Sequence, residues 1–267
     1  MLTAIQIATL TNHLCQVAKY RNTHRDTVTL VVTECAQRYK TLRQVEDAAR
    51  ERLHNIVAPY LGDPDYPQAI LQLEEAFVQG ETAVQAICRQ LLSTHDSTRE
   101  RLAALPEFYQ ELWKITGVPQ RVLDLACALH PLALPWMQLP ADVQFYGYDI
   151  HQERVALLNR FMQLAGRQPL VKMQDIAQVF PRESADVALF LKELPRFEKN
   201  YGNLGLPLLQ SLSVRWIVLS FPAVSLHGGR SLRKHYSAYC ERLLAPVGWS
   251  FVQLEMANEL LFCIQKT

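Results

Sequence analysis

The sequence contains no C-x-x-C pair. Its six cysteines (Cys15, Cys35, Cys88, Cys127, Cys240 and Cys263) are widely separated, which gives no support to a zinc or dithiol redox site. They read as reduced, mostly buried thiols of a cytoplasmic protein, and no metal is expected. No G-x-G-x-x-G occurs, and no glycine stands in the turn after the first expected strand. A dinucleotide pyrophosphate needs that close approach of backbone amides, so a nicotinamide cofactor is disfavoured. No apolar run approaches the ~20 residues that span a bilayer. No basic segment precedes the uncharged first residues, so no secretory leader is expected. A strong net charge is also missing: the balance is +1 over 267 residues, whereas a general nucleic-acid binder is usually basic overall.

Charge is instead distributed locally. Residues 1–18 carry no Lys, Arg, Asp or Glu. Between Lys19 and His54 stand eight Lys or Arg residues against five acidic ones, and from residue 55 to about 100 the balance reverses. The basic stretch is either an RNA-facing surface or a solvated helix face laced with ion pairs. Apolar residues at helical spacing (Val28, Val31, Val32, Cys35; then Val45, Ala49, Leu53, Ile56) predict helices over 27–40 and 43–60. Gly62-Asp63-Pro64 and Tyr66-Pro67 break the pattern. Further helices are expected over Ala69–Val78 and Thr82–Leu92, with Asp96 or Ser97 capping another that carries Arg99 and Arg101.

From about residue 120 the pattern changes to short apolar runs separated by helical stretches: 122–126, 143–149, 170–174, 187–191, 216–221, 251–255 and 260–264. Such alternation implies a mostly parallel sheet covered on both faces. The short link between the last two runs suits an antiparallel hairpin. The expected fold is α/β: a Rossmann-like, class I S-adenosylmethionine-dependent methyltransferase with a seven-stranded sheet in residues 96–267, preceded by an all-helical unit in residues 1–95. In such sheets ligands bind beyond the carboxyl ends of the strands. Asp124, Asp149 and Asp175 close three successive expected strands. Asp149 can accept from ribose hydroxyls and Asp175 from an adenine amine. Ala126, Cys127 and Ala128 let backbone approach the methionine part. Each aspartate is, by itself, equally a turn or cap residue.

The run Asp124-Leu125-Ala126-Cys127-Ala128-Leu129-His130-Pro131-Leu132-Ala133-Leu134 resembles the first motif of the Arm/Rmt ribosomal RNA methyltransferases of aminoglycoside resistance. Asp149-Ile150-His151-Gln152, Gln174-Asp175, Leu191-Lys192-Glu193-Leu194-Pro195 and Ser220-Phe221-Pro222 are similar to further family segments, as are Lys19-Tyr20-Arg21, Asp26-Thr27-Val28, 49–54 and 97–102. The resemblance spans nearly the whole chain. Three positions depart from it: Ala128 replaces a glycine, His130 an asparagine, and Val224 a basic residue. The loop from His227 to Lys234 also lacks the family's Gly-Met element.

The resemblance implies methylation of guanine N7 in the decoding region of 16S ribosomal RNA, on the assembled 30S subunit, by a monomer. Guanine N7 has an in-plane lone pair and no proton to lose, so positioning should supply the rate. The cofactor set it implies is Arg101 (on the cofactor carboxylate), Asp124, Ala126, Cys127, Ala128, Asp149, Ile150, Gln174, Asp175 and Leu191. Lys192 is the candidate catalytic residue, holding an RNA phosphate or the target base. Lys19, Tyr20, Arg21, Arg50, Arg52, Lys192, Arg230, Arg233 and Lys234 are candidates for RNA contact, and Glu198 and Glu259 for orienting basic neighbours. A degenerate homologue that binds without chemistry, one that methylates a neighbouring nucleotide, and a small-molecule methyltransferase are the competing readings.

Overall fold

The computed structural model describes residues 2–57, 63–225, 229–256 and 258–266. Its seven strands are β1 (Arg121–Leu125), β2 (Gln144–Asp149), β3 (Val171–Met173), β4 (Ser184–Leu191), β5 (Ser213–Pro222), β6 (Phe251–Met256) and β7 (Glu259–Gln265). They form a single sheet in the order β3-β2-β1-β4-β5-β7-β6. β1 to β5 run parallel, and β7 lies antiparallel between β5 and β6. The central strands are apolar on both faces because both are covered. Val122, Val187, Leu189 and Val218 face one cluster, while Leu123, Ala188, Phe190, Ile217 and Leu219 face the other. The strand order reverses direction between β1 and β4, which opens a crevice at the carboxyl ends of β1, β2 and β3.

Helices α4 (Tyr66–Gln79), α5 (Glu81–Thr94), α7 (Leu105–Thr116) and α9 (Gln152–Leu164) cover the first face, with the short α8 (Leu134–Met137). α10 (Leu194–Tyr201), α11 (Gly205–Ser211) and α12 (Arg233–Leu244) cover the second. α1 (Ala4–Gln16), α2 (Arg25–Arg38) and α3 (Leu42–Val57) enclose a separate apolar cluster built on Leu14, Val28, Val31, Val32, Val45, Ala49 and Leu53. Helices α4 and α5, within the expected helical unit of residues 1–95, therefore share the core of the sheet.

Local chemistry sets the helix starts. At α1 the Thr3 hydroxyl accepts from the Gln6 amide while the Gln6 side chain accepts from the Thr3 amide, a capping box. At α4 Asp65 accepts from the Gln68 amide, and Pro67 sits in the first turn, where no backbone donor is missed. The expected break at Tyr66-Pro67 is thus a helix start; Gly62 lies outside the described residues. The expected cap by Asp96 or Ser97 is not formed. α6 (Asp96–Arg99) is a single turn entered from His95, and Asp96 pairs with Arg99 instead. Arg101 accordingly sits in an irregular link before α7, and not on a continuous helix. No helix among the described residues is long and apolar enough to cross a membrane.

Candidate functional site

One cleft lies at the strand ends, walled by the sheet on one side and by the first helical unit on the other. Ala126, Ala128, Asp149, Ile150, Gln174, Asp175 and Leu191, all among the sequence candidates for cofactor contact, line it. Thr23, Asp63, His151, Arg154 and Tyr201 complete the part of the wall nearest the two carboxylates.

Asp149 ends β2 and is buried. Its Oδ2 accepts from the Ala128 amide at 3.0 Å and its Oδ1 from the His151 amide at 2.8 Å. Arg154 Nη1 spans both oxygens, at 3.1 and 3.0 Å. Arg154 also donates to Asp63 at 2.8 Å and to the Tyr66 hydroxyl at 3.2 Å. Burial alone would raise the Asp63 carboxyl, but the Arg154 charge and the hydrogen bonds from Tyr66 and Arg154 outweigh it and hold it below its usual value. Desolvation likewise opposes the Arg154 charge, and Asp149, Tyr66 and Asp63 more than restore it. Sequence reading missed this cluster. One signal was available: an arginine in the first turn of α9 opposes the helix dipole and needs a reason.

Asp175 follows β3 and is buried at the neighbouring strand end. Oδ1 accepts from the Ala177 amide at 2.9 Å. Oδ2 accepts from Thr27 of α2 at 2.7 Å, from Gln178 at 3.0 Å and, more weakly, from Tyr201 at 3.4 Å. The first helical unit meets the sheet here in other ways too. The His24 amide donates to the Ile150 carbonyl at 2.7 Å, the Gln152 amide to the Asn22 carbonyl at 2.7 Å, and Asn22 to Glu153 at 2.6 Å.

Of the four described non-glycine residues with positive φ, three lie just beyond the ends of β1 and β4, and the fourth, Gln138, follows α8. Ala126, Ala128 and Lys192 have φ of 51°, 47° and 61°, a region that costs a non-glycine residue about 1 kcal/mol or more. At Ala128, where the resembling family has glycine, the left-handed turn forms without one, and its amide still reaches Asp149.

Arg101, Asp124, Cys127 and Lys192 are not part of the cleft wall. Asp124 ends β1 one strand away, and its Oδ2 lies 2.7 Å from His130 Nδ1; His130 Nε2 lies 2.7 Å from the Tyr109 hydroxyl. A ring proton on Nδ1 donating to Asp124, with Nε2 accepting from Tyr109, satisfies all three buried groups. Burial raises the Asp124 pKa, with His130 opposing. Asp124 therefore supports the first turn from beneath, outside the wall that Asp149 and Asp175 line. The Cys127 amide donates to the Tyr148 carbonyl and its thiol is buried, raised well above its ordinary pKa by desolvation first.

Arg101 forms a two-pronged pair with Glu259, at 2.7 Å on each oxygen, and its guanidinium lies over Phe108. Lys192 Nζ pairs with Glu100 and stands 3.6 Å from Glu259. Desolvation would raise Glu259, but Arg101 and Lys192 hold it below its usual range. The expectation that Glu259 orients basic neighbours matches this geometry; Glu198 accepts from Tyr239 instead.

Of the candidates for RNA contact, Tyr20 is a core residue: it is buried, with its hydroxyl donating to the Arg50 carbonyl at 3.1 Å. Arg50 pairs with Glu46, Arg52 with Glu34 and the Asn200 carbonyl, and Arg233 with Glu255. Lys19 meets His54 at the cleft rim. Arg21, Arg230 and Lys234 are exposed. Leu226, His227 and Gly228 lie outside the described residues.

The strand order, the antiparallel penultimate strand of the sheet and a cleft bounded by carboxylates at the ends of adjacent parallel strands define a Rossmann-like class I methyltransferase. The chain belongs to the FmrO family of ribosomal RNA methyltransferases, whose model matches residues 16–264. It is 36% identical over 223 residues to the 16S rRNA (guanine(1405)-N(7))-methyltransferase of Frankia casuarinae, covering 81% of this chain and 78% of that one. It is 34% identical over 249 residues to the enzyme of the same description from Serratia marcescens, covering 93% and 94%. The solved structure of the 16S rRNA methyltransferase RmtF with S-adenosyl-L-homocysteine superposes with a TM-score of 0.86 at 30% identity, covering 100% of both chains.

Proposed function

We propose that this protein transfers a methyl group from S-adenosylmethionine to N7 of the guanine equivalent to 1405, the position named for its relatives. It acts as a cytoplasmic monomer on 16S rRNA in the assembled 30S subunit, and the product resists 4,6-disubstituted aminoglycosides. The observation that carries this reading is the pair of buried carboxylates, Asp149 and Asp175, that end adjacent parallel strands and line a single cleft. These carboxylates suit an adenosyl group: Asp175 Oδ1 keeps acceptor capacity for an exocyclic amine, and Asp149, whose two oxygens face Ala128, His151 and a shared Arg154 Nη1, takes a ribose hydroxyl by exchanging that shared contact.

The bound cofactor supplies an electrophilic methyl group. Guanine N7 presents its lone pair without losing a proton, so the chain needs no general base there. Asp149 and Asp175 hold and orient the adenosyl part. Ile150 and Leu191 line its path with apolar surface, and Gln174 adds an amide. Ala126 and Ala128 bring the turn backbone toward the methionine part, with Cys127 and Asp124 buttressing it. Arg101 lies outside the cleft wall and spends Nε and Nη2 on Glu259; it braces the methionine end from behind, and the contact with the cofactor carboxylate that the resemblance implies falls to Nη1. Lys192, fixed by Glu100 and Glu259, sets positive charge at the end of β4 for an RNA phosphate or the incoming base, which leaves its stack to react. Residues 1–95 dock on the subunit. Arg21, Lys19, Arg230 and Lys234 meet phosphates; the paired Arg50, Arg52 and Arg233 shape the surface around them. Such contacts position the enzyme, and the folded RNA surface gives specificity.

The degenerate reading rests on the departures at Ala128 and His130, and both are accommodated: the first keeps the turn, the second is absorbed between Asp124 and Tyr109. Expression in a drug-sensitive bacterium is expected to protect against gentamicin and kanamycin while leaving apramycin susceptibility unchanged. Protection from apramycin, or from none of the three, contradicts the target assignment.

A further inference from the structure

Thr27 belongs to the first helical unit, far in sequence from the sheet, yet its hydroxyl is fully buried and donates to Asp175 Oδ2 at 2.7 Å. We infer that Thr27 is a positioning residue that sets the base selectivity of the cofactor site by fixing which oxygen of Asp175 is offered to the adenine amine.

The inference rests on the reading of Asp175 as the adenine acceptor and deepens it. A carboxylate oxygen accepts about two hydrogen bonds. Oδ2 already faces Thr27, Gln178 and Tyr201, whereas Oδ1 has one partner, the Ala177 amide. Acceptor capacity is therefore left on Oδ1. Gln178 has a long, rotatable side chain on the loop that carries Asp175. Thr27 is a β-branched residue locked in α2 with no exposed surface, and β-branching restricts its rotamers. Of the three donors to Oδ2 it has the shortest bond and the stiffest mount. Without its hydroxyl the carboxylate can rotate and lose the fixed offer of Oδ1. A second consequence follows: helix α2 must be seated on the sheet for adenine to be read correctly.

The test is calorimetric binding of S-adenosylhomocysteine beside its hypoxanthine counterpart, which carries an oxygen in place of the amine. The full-length wild type, Thr27→Val, Thr27→Ala, Thr27→Ser and Asp175→Ala are compared, with circular dichroism confirming the fold of each. The wild type is expected to prefer the adenine ligand. Thr27→Val and Thr27→Ala should lose roughly tenfold of that preference, the scale of one hydrogen bond to a charged group, and Thr27→Ser should keep it. Wild-type preference in both Thr27→Ala and Thr27→Val, with Asp175→Ala losing it, overturns the inference and leaves Asp175 as the acceptor. An equal loss in Thr27→Ser also overturns it, because packing and not the hydroxyl would be responsible. Undiminished preference in Asp175→Ala, which unlike asparagine leaves no acceptor oxygen, refutes the underlying assignment itself. Should Thr27→Val fail to fold, Thr27→Ala against Thr27→Ser decides alone.

Discussion

His95 shows how one buried side chain ties the site to solution conditions. It precedes the single turn α6, its Nδ1 lies 2.8 Å from the Ser97 hydroxyl, and it is fully buried. Burial first, and the Arg154 charge second, lower its pKa from an ordinary 6.5 to about 4. A folded value below the unfolded one means that the unfolded chain binds the extra proton between those limits. The stability involved is complete above about pH 6.5 and is lost as pH falls toward 4, by roughly 3 kcal/mol over the window. Urea unfolding of the wild type should show this slope, and His95→Asn should flatten it between pH 6.5 and 4. An unchanged slope would show that other groups dominate. At the same scale, Ala128 illustrates what a motif can and cannot tell. The missing glycine announced itself in the sequence, but only the φ of 47° shows that alanine adopts the required turn at a conformational cost.

At the scale of elements, the Arg101–Glu259 pair fastens the start of β7 to the link before α7, with Lys192 at the end of β4 adding a third charge. Arg101 and Glu259 are both buried, so removing one partner strands the other's charge, at a cost of about 3–5 kcal/mol. Glu259→Gln is expected to lower the melting temperature by roughly 5–10 °C. Glu100→Gln, which removes a partly exposed partner of Lys192, should cost about 1 kcal/mol or less. Equal shifts in the two variants would remove the distinction between a buried clamp and a surface pair. The strands were legible because burial on both faces writes them as continuous apolar runs. α2, α3, α4 and α5 were legible through their buried stripes. α1 escaped notice: its buried residues are few, Leu10, Thr11 and Leu14, and its main signal was the Thr3–Gln6 box. The supposed helix carrying Arg101 reduced to one turn because His95 provides no side-chain cap and Leu105-Pro106 restarts the chain.

For the whole molecule, the cleft is a joint product of two bodies of chain. The sheet supplies Asp149 and Asp175, while the helical unit and its connection supply Thr27, Asp63 and Tyr66. The carboxylates could be read from sequence because strand ends are local features. Their partners could not, since Thr27 and Asp63 lie 148 and 91 positions from the groups they contact or neutralise, and only the fold brings them together. The same limit applied to Asp124: its place at a strand end was legible, its capture by His130 and Tyr109 was not. On the proposed reading, this shared cleft delivers a methyl group to one ribosomal nitrogen. Purified 30S subunits incubated with the protein and radiolabelled S-adenosylmethionine, followed by chemical cleavage at 7-methylguanosine, test that directly. One cleavage in 16S rRNA is expected, at the guanine equivalent to 1405 in the relatives' description, present with wild type and abolished by Asp149→Ala. Label at a different nucleotide, no label at all, or an Asp149→Ala variant as active as wild type would contradict it.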